Sequence, residues 1–420
     1  MRRPPLEIRD PMHGPILIAP EELRIIDSPY FQRLRGIKQT GFADMAFPGA
    51  THTRYSHSLG AYHLAGRAFD RVFEDFDWKD SGERIRARFL LRVSALLHDV
   101  GHGPFSHAIE AAMPPRKNIT GGEGQATHED YTLAIIGKSS LTDLLKKTFG
   151  NEFPELISNM LEGKGHGSPH FIFGKRQLNL FPILSSLISG ELDVDRMDYL
   201  PRDSHYCGIS YGTYDRDWIF SNLLCQEVGK DVFLALDSRA IYAVEDFLLS
   251  RYHMYLQVYL HHKSVVYDEM LFQFLKAEGE TTRLPSSIEE YLEIDDAWLW
   301  GQLRAAKGDW AKRILEHRPY RMLVELHSDE AEDSKKYADE LEAKLHKEGR
   351  SYFRSSSTGL LSKYAKMEKT ASFPIYVIYR DPRFTSATRP GTEFEALSDA
   401  SALFQRFTRS RIIDRIYADI

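Results

Sequence analysis

The stretch LLHDVGHGPFSH, residues 96–107, decides how the chain is interpreted. It starts as the end of an apolar helix, continues with the adjacent pair His98 and Asp99, and then passes into a turn containing Gly101 and Gly103. Neighbouring residues on a helix point about 100° apart, so at a helix end both can reach one ion from different sides. The glycines allow the backbone to turn closely beside that ion. The stretch therefore indicates a metal site at the end of a helix.

Two other segments offer the ligands that one histidine and one aspartate leave missing. They are HTRYSHSLG, residues 52–60, and ELDVDRMDY, residues 191–199. Two imidazoles with two carboxylates suit Mn, Fe, Zn or Ni and leave coordination positions for water and phosphate. Such an ion lowers the pKa of bound water to about 7 and so creates a nucleophile at neutral pH. Taken alone, the His98–Asp99 pair also fits a helix-terminal histidine capped by an aspartate, and we interpret His52, His63 and His107 as structural or supporting residues.

Hydrophobic periodicity predicts a mainly α fold with a smaller α+β part at the C-terminal end. Apolar residues recur at helical spacing in four segments of the first half and in one long Tyr-rich segment, residues 242–272, and a strand is expected at 232–236. The four segments are residues 56–76, 83–97, 127–137 and 140–149. After about residue 316 the pattern changes to strand, charged helix and strand, followed by a third strand. These elements are expected at residues 321–326, 329–347, 373–379 and 412–417.

Composition limits the classes of partner. The chain has 420 residues, a net charge of -6 and two cysteines, Cys207 and Cys225. Two thiols form no disulfide framework, and we expect a reducing, cytoplasmic environment. A negative overall field disfavours nucleic acid and anionic membranes, so neither is expected as a partner. The chain lacks the Gly-x-x-x-x-Gly-Lys-Ser/Thr pattern, which argues against the P-loop mechanism of nucleotide hydrolysis.

Five motifs in order resemble the HD-domain phosphohydrolase superfamily, and specifically its deoxynucleoside triphosphate triphosphohydrolase branch. The motifs are FQRLRGIKQ at 31–39, FPGA at 47–50, the segment ending HSLG at 57–60, the stretch 98–107 and DVDRMDY at 193–199. The resemblance extends from about Asp10 to Lys263. It implies an HD-domain helical core in residues 1–275, with the metal core at about 50–200, a helical connection at 276–316 and a C-terminal α+β subdomain at 317–420.

The resemblance also implies roles for individual residues. The metal ligands are His57, His98, Asp99 and Asp195. The catalytic residues are His102, His128 and Glu110, with His128 as general acid and Glu110 as its partner. The substrate-binding residues are Gln39, Arg54, Arg196, Tyr199, Asp203 and Lys263. The resemblance also implies a regulatory nucleotide site that consists of Asp27, Gln32 and Arg35.

The implied activity is hydrolysis of deoxynucleoside triphosphates to deoxynucleoside and triphosphate, by attack of metal-bound water on the α-phosphorus. The implied cofactor is a divalent transition metal, Mn, Fe, Zn or Ni, with an additional Mg accompanying the nucleotide. The implied partners are the nucleotide substrate, an activating nucleotide and further copies of the chain in a dimer or tetramer. Two alternatives stay open: another HD phosphohydrolase, such as a nucleotidase, pyrophosphohydrolase or phosphodiesterase, and a nucleotide-sensing module with weak turnover.

Overall fold

The computed structural model describes residues 6–327, 332–359, 373–380, 393–401, 403 and 411–420. The α-helices are α1 Pro20–Ile26, α2 Pro29–Gln32, α3 Arg54–Val72, α4 Ser81–Leu97, α5 His128–Lys138, α6 Ser140–Phe149, α7 Phe153–Glu162, α8 Phe181–Ser189, α9 Val194–Cys207, α10 Arg216–Ser221, α11 Ile241–Met254, α12 His262–Glu278, α13 Ile288–Tyr291, α14 Asp296–Ala305, α15 Asp309–Leu315, α16 Glu332–Lys347 and α17 Leu397–Ala400. The strands are β1 Leu6–Asp10, β2 Gly14–Ile18, β3 Ile172–Phe173, β4 Leu178–Asn179, β5 Leu223–Val228, β6 Asp231–Asp237, β7 Arg321–His327, β8 Tyr352–Gly359, β9 Tyr376–Ile378, β10 Phe394–Ala396 and β11 Arg411–Ala418.

The mainly α prediction is confirmed, and its core is helical. Helix α3 packs against α4 and α9, and these three elements carry the metal-binding candidates. One continuous hydrophobic core extends through all three helices. Every helix of the described residues is too short or too polar to cross a bilayer.

Helix α4 shows how local sequence positions the metal-site stretch. The Asp80 side chain accepts a hydrogen bond from the Glu83 amide at 2.9 Å and so caps the first turn. Leu90, Val93 and Leu97 lie on the buried face at helical spacing. Because the helix ends at Leu97, the next two residues leave the helix together at the edge of the core.

The long helix expected over residues 242–272 is divided in the structure. Helix α11 ends at Met254, a π-helical turn spans Tyr255–Tyr259, and α12 begins at His262. His261 has an extended backbone (φ -60°, ψ 132°), and its ring accepts a hydrogen bond from the Lys263 amide. Histidine is not a favoured N-cap residue, so the periodicity of the sequence gives no sign of this break.

The C-terminal region, expected as a small α+β subdomain packed on the helical body, contributes strands to two sheets. Strands β7, β11 and β8 form an antiparallel sheet against which α16 packs; residues 329–331 of the expected charged helix lie outside the described residues. The strand expected at 373–379 is shorter, at Tyr376–Ile378, and pairs in parallel with residues 235–237 of β6. The sheet that contains β6 and β9 therefore continues across the boundary predicted at residue 316. Strand pairing over such a sequence distance leaves no local signal in the sequence.

Candidate active site

Three separate elements bring His57, His98 and Asp195 together. His57 lies in the first turn of α3, His98 follows the end of α4, and Asp195 lies in the first turn of α9. Asp195 Oδ1 is 3.0 Å from His57 Nε2 and 3.4 Å from His98 Nε2, and the two Nε2 atoms are 3.3 Å apart. The ligand atoms of these residues all lie within 4.8 Å of one another. Three of the four residues expected to bind metal therefore converge on one point.

Asp99 lies beside this cluster and also contacts an arginine. Its Oδ1 is 3.4 Å from His98 Nε2, and its Oδ2 is 3.7 Å from His57 Nε2. The same Oδ2 accepts a hydrogen bond from Arg54 Nη1 at 2.5 Å. Arg54 thus compensates part of the negative charge of Asp99 while leaving Oδ1 facing the histidines.

The charges of the cluster favour a cation. Burial alone would lower the pKa of His57, but its hydrogen bonds to Asp195 and Asp198 raise that pKa to about 10. The pKa of His98 is also raised, because Asp99 and Asp195 outweigh the effect of burial. The pKa of Asp195 is lowered despite its burial, by its hydrogen bonds with His57 and His98. Anionic oxygens and imidazole nitrogens that converge in a buried site fit a divalent transition metal.

Asp198 and Arg202 form a second layer that orients His57. The sequence analysis assigned no role to either residue. Asp198 Oδ2 lies 2.8 Å from His57 Nδ1, so that the Nε2 atom of His57 faces the cluster. Arg202 donates to both oxygens of Asp198 and pairs with Asp10 at 2.9 Å. A signal for this layer was present, since Asp195, Asp198 and Arg202 share one helix face at spacings of three and four residues.

Gly60 explains how α3 approaches this layer so closely. A Cβ atom at Gly60 would meet Asp198 Oδ1 at 1.8 Å and Arg202 Nη2 at 2.5 Å. Only glycine therefore fits where α3 crosses α9. The HSLG motif owes its glycine to this packing.

The histidines after the metal-site pair form a stacked group. The rings of His102 and His128 stack with centroids 3.8 Å apart and an interplanar angle of 16°. Glu110 Oε1 lies 2.6 Å from His128 Nδ1 and 3.1 Å from His107 Nδ1. The hydrogen bonds from both histidines hold the pKa of Glu110 at about 2, although burial raises it. The structure thus brings Glu110 to His128 as expected, and it adds His107, which we interpreted as structural.

Gly101 has a different purpose from the one the sequence suggested. A Cβ atom there would meet Thr132 N at 2.2 Å and His128 O at 2.3 Å. Its amide donates to Thr132 Oγ1 at 3.0 Å. Gly101 therefore permits close packing of α5, the helix that carries His128, rather than a tight turn around an ion.

The expected substrate-binding residues fall into two groups. Arg54 is buried beside Asp99, and Tyr199 lies with its ring 6.2 Å from that of His57. Gln39 Oε1 is buried and has no hydrogen-bond partner among the described residues. Arg54 and Tyr199 thus lie close to the cluster, and the backbone of Gln39 lies close to Arg54, whose Nη2 donates to Gln39 O at 3.5 Å.

The other three expected substrate contacts are differently engaged. Asp203 accepts from Tyr259 Oη at 2.7 Å and is 2.7 Å from His52 Nε2. Arg196 is buried and donates to Asp193 Oδ2 at 2.7 Å. Lys263 is exposed in the first turn of α12. Within the described contacts, Asp203 and Arg196 thus bind protein groups other than the metal-binding candidates, and Lys263 is exposed.

The regulatory candidates lie around the start of the chain's helical part. Arg35 Nε donates to Gln32 Oε1 at 2.7 Å, and the Arg35 guanidinium lies 3.6 Å above the Tyr55 ring. Gln32 Nε2 donates to Ile26 O at 2.8 Å, and the exposed Asp27 follows immediately. The structure therefore brings the three residues into one surface region.

Two family models match the chain. The model of the HD domain matches residues 54–201, and the model of the HD associated region matches residues 222–349. The first match contains all four expected metal ligands. The second contains β5, β6 and the helices α11 to α16.

Similar proteins include characterised and uncharacterised relatives. An uncharacterized protein of Methanocaldococcus jannaschii is 32% identical over 321 residues, 76% of this chain and 59% of that protein. The deoxynucleoside triphosphate triphosphohydrolase SAMHD1 of Homo sapiens is 32% identical over 316 residues, 69% of this chain and 49% of that protein. Both matches cover between about half and three fifths of the relative's length. A crystal structure of a hypothetical protein from Aquifex aeolicus is 29% identical, with a TM-score of 0.75, covering 99% of this chain and 96% of that one.

Proposed function

The chain belongs to the HD-domain family, and from that premise we propose that it is a metal-dependent phosphohydrolase acting on deoxynucleoside triphosphates. The observation that carries the proposal is the convergence of His57, His98 and Asp195 within 4.8 Å, with Asp99 beside them. A pure binding module has no need of such a buried ligand set. The choice of substrate is supported by the likeness to the triphosphohydrolase SAMHD1.

The metal ligands in this proposal are His57, His98, Asp99 and Asp195. A divalent ion bound there supplies Lewis-acid polarisation of a phosphoryl group and activation of water. Asp198 fixes the His57 ring through Nδ1, so the ligand is already oriented before any ion binds. Several buried ion pairs therefore fix the position of the His57 imidazole.

The remaining residues bind the substrate and transfer a proton. Arg54 offers a buried guanidinium next to Asp99 that can neutralise phosphoryl charge. His128 has Nδ1 occupied by Glu110, which leaves Nε2 to hold a proton for the leaving 5′ oxygen. In the balanced reaction, the oxygen of water bonds to the α-phosphorus and keeps one of its protons, and the bond from phosphorus to the 5′ oxygen breaks. The 5′ oxygen takes the proton held by His128, and the second proton of water restores the protonated His128. The products are deoxynucleoside and triphosphate.

Deoxyribose recognition is proposed for the region around Gln39. Its Oε1 and the Thr40 Oγ1 are buried polar atoms without a hydrogen-bond partner in the described part of the chain. Buried polar atoms are normally hydrogen-bonded, so these two atoms are suited to a ligand hydroxyl group. Tyr199, with its ring near that of His57, is suited to contact the same ligand.

Product analysis by chromatography tests the proposal. The purified chain is incubated with each deoxynucleoside triphosphate and Mn²⁺ or Mg²⁺, and we expect deoxynucleoside together with intact triphosphate. The double variant His98→Ala/Asp99→Ala is expected to form neither. A matched control, His166→Ala/Asp231→Ala, removes a half-exposed His–Asp pair 3.2 Å apart and should retain activity. Release of phosphate or pyrophosphate would instead indicate another HD phosphohydrolase, and binding without turnover under every metal would indicate a sensing module.

Regulation by a nucleotide is a separate part of the proposal. Arg35 is exposed and already ordered by Gln32 and Tyr55, which suits it to bind a phosphate. We expect GTP or dGTP to raise the turnover of the wild-type protein, and Arg35→Ala to abolish that increase. Arg24→Ala, which removes an exposed arginine of α1, should respond like wild type. Identical wild-type rates with and without GTP would eliminate this part.

Light scattering on the same samples tests the expected homo-oligomer, a dimer or tetramer.

A further inference from the structure

The segment from Tyr291 to Asp296 packs on the turn that follows the metal-site pair. It joins α13 to α14 and lies in the associated region, outside the residues matched by the HD-domain model. Tyr291 is 1% exposed and Asp296 is 7% exposed. A buried carboxylate loses its hydration, so its retention here calls for specific partners.

The partners are backbone groups of two active-site segments. Asp296 Oδ1 accepts from the Phe105 amide at 3.0 Å, and Oδ2 accepts from the Lys38 amide at 3.0 Å. Tyr291 Oη donates to Gly101 O at 2.9 Å. The Asp296 carboxylate therefore connects the turn that follows the metal-site pair to the segment that precedes Gln39.

The turn has a backbone conformation that needs such support. Phe105 and Ser106 both have positive φ, 53° and 59°, in a region that side-chain-bearing residues seldom adopt. Residues in this region persist only where surrounding contacts hold them. The Asp296 hydrogen bond to the Phe105 amide is such a contact, placed at the first of the two residues.

Ser106 connects the turn to the metal-binding candidates through hydrogen bonds. Its Oγ accepts from Arg54 Nε at 3.2 Å and from Arg54 Nη2 at 2.9 Å. It lies 3.1 Å from Lys38 O, to which it donates. Arg54 in turn donates to Asp99 Oδ2 at 2.5 Å. An unbroken series of contacts thus leads from Asp296 to the Arg54–Asp99 pair.

Arg33 ties the same segment to the turn from a third direction. Its Nε donates to Ile294 O at 2.9 Å, and its Nη1 donates to His102 O at 2.8 Å. Its guanidinium also lies 4.3 Å from the centre of the Tyr291 ring. The segment and the turn are therefore held in one relative position.

We propose that Asp296, supported by Tyr291, is a positioning residue of the active site. It holds the Phe105–Ser106 turn, and through Ser106 it fixes the Arg54 guanidinium against Asp99. This role rests on the proposed hydrolase function where it concerns turnover, while the effect on the turn itself is independent of any substrate.

The test compares Asp296→Asn with Asp295→Asn in the full-length chain. Asparagine at 296 keeps its shape but offers one oxygen where two amides now find acceptors. Asp295 caps α14 by accepting from the Trp298 amide, a role that asparagine also fills. For Asp296→Asn we expect amide hydrogen exchange in residues 36–41 and 103–108 to be faster by about tenfold or more. We expect kcat to fall by a similar factor while the KM changes less, and both parameters to stay at wild-type values in Asp295→Asn.

A second variant keeps the test decisive if Asp296→Asn folds poorly. Tyr291→Phe removes only the hydroxyl group and keeps the ring stacked on Tyr131 at 3.9 Å. It should also speed exchange at the turn and lower kcat. Unchanged exchange at the turn in both variants overturns the proposal, whether or not the wild-type protein hydrolyses a nucleotide. Faster exchange with an unchanged kcat overturns the link to turnover. An inactive wild-type protein counts against the proposed function alone, and the exchange result then decides the role of Asp296.

Discussion

Asp198 determines how His57 is presented, and Arg202 determines whether Asp198 can stay ionised. Arg202 is fully buried between Asp198 and Asp10, and Asp198 also contacts His13 at 2.6 Å. The neighbouring arginine, together with hydrogen bonds from the histidines, holds the pKa of Asp198 well below its usual range despite burial. The orientation of a metal ligand thus depends on a charge two contacts away.

Replacing Arg202 by methionine should therefore destabilise the protein strongly. The change leaves two carboxylates buried without their cation, and removing one partner of a buried pair costs about 3–5 kcal/mol. Chemical denaturation at pH 7 measures the loss in the free energy of unfolding. The matched change Arg67→Met removes an arginine whose partner, Asp217, has a 76% exposed side chain. It should cost less than about 1 kcal/mol. Equal losses in the two variants would refute this account of Arg202.

The Glu110→Gln variant tests the proton-transfer pair at the same scale. Glutamine can still accept a hydrogen bond from His128 Nδ1, but it lacks the charge that stabilises a protonated ring. We expect kcat for triphosphate release to fall by about tenfold to a hundredfold, within the range of general acid catalysis. Glu129→Gln, an exposed change on the residue next to His128, should leave kcat within about twofold. A kcat for Glu110→Gln equal to that of Glu129→Gln would remove Glu110 from the mechanism.

Among the elements, helices with a clear amphipathic pattern could be predicted closely. Residues 83–97 were expected as a helix, and α4 spans Ser81–Leu97 because an aspartate cap and an apolar face agree. The break within residues 242–272 could not be predicted, since it depends on the backbone of His261. The segment carrying Asp296 was expected only as a helical connection, because its contacts reach residues about 190 positions away.

Among the metal-binding candidates, too, some features are visible in the local sequence and others depend on distant contacts. The His98–Asp99 pair is visible as a local motif, whereas His57 and Asp195 were assigned through family resemblance. Asp198 lies within a motif but received no role, because its partner atom, His57 Nδ1, is 141 positions away in sequence. Local patterns thus identify which residue types are present, and the packing of α3 on α9 determines which of them meet.

Asp296 also predicts a pH dependence of stability at the start of α14. Burial raises its pKa to about 6, against 3.8 for an unperturbed aspartate, although the Phe105 and Lys38 amides and the Lys38 charge lower it and Asp295 raises it. The folded state therefore holds this proton more tightly than the unfolded state. Its stabilising contribution is complete below pH 3.8 and is lost as the pH rises to about 6.

The Asp296→Asn variant isolates this contribution. The difference in free energy of unfolding, wild type minus variant, should fall by roughly 2 kcal/mol between pH 4 and pH 7, most of it by about pH 6. Urea denaturation at a series of pH values measures both proteins, and the subtraction removes the titration of every other group. A constant difference for Asp296→Asn would show that Asp296 titrates normally.

At the scale of the whole molecule, the C-terminal part is joined to the helical body at several points. Strand β9 extends the sheet that contains β6, and Tyr417 Oη donates to His262 O at 3.1 Å. Arg313 on α15 pairs with Asp419 at 2.5 Å. The C-terminal end of the chain thus contacts both α12 and α15. We infer that the two parts unfold together.

A single substitution in β9 tests that inference. Val377 is fully buried where β9 lies beside β6, and Val377→Asp places an unpaired charge in that contact. We expect it to lower the free energy of unfolding by more than about 3 kcal/mol, since an uncompensated buried charge is among the largest single-residue effects. Val228→Asp makes the same chemical change at a position that is 40% exposed at the end of β5, and should cost far less. Far-UV circular dichroism during denaturation should show one transition in both variants, shifted only for Val377→Asp, because a cooperative unit loses stability as a whole. Two transitions, with the later one unshifted, would instead make the C-terminal part an independent domain, so that its loss would leave the metal-binding helices intact.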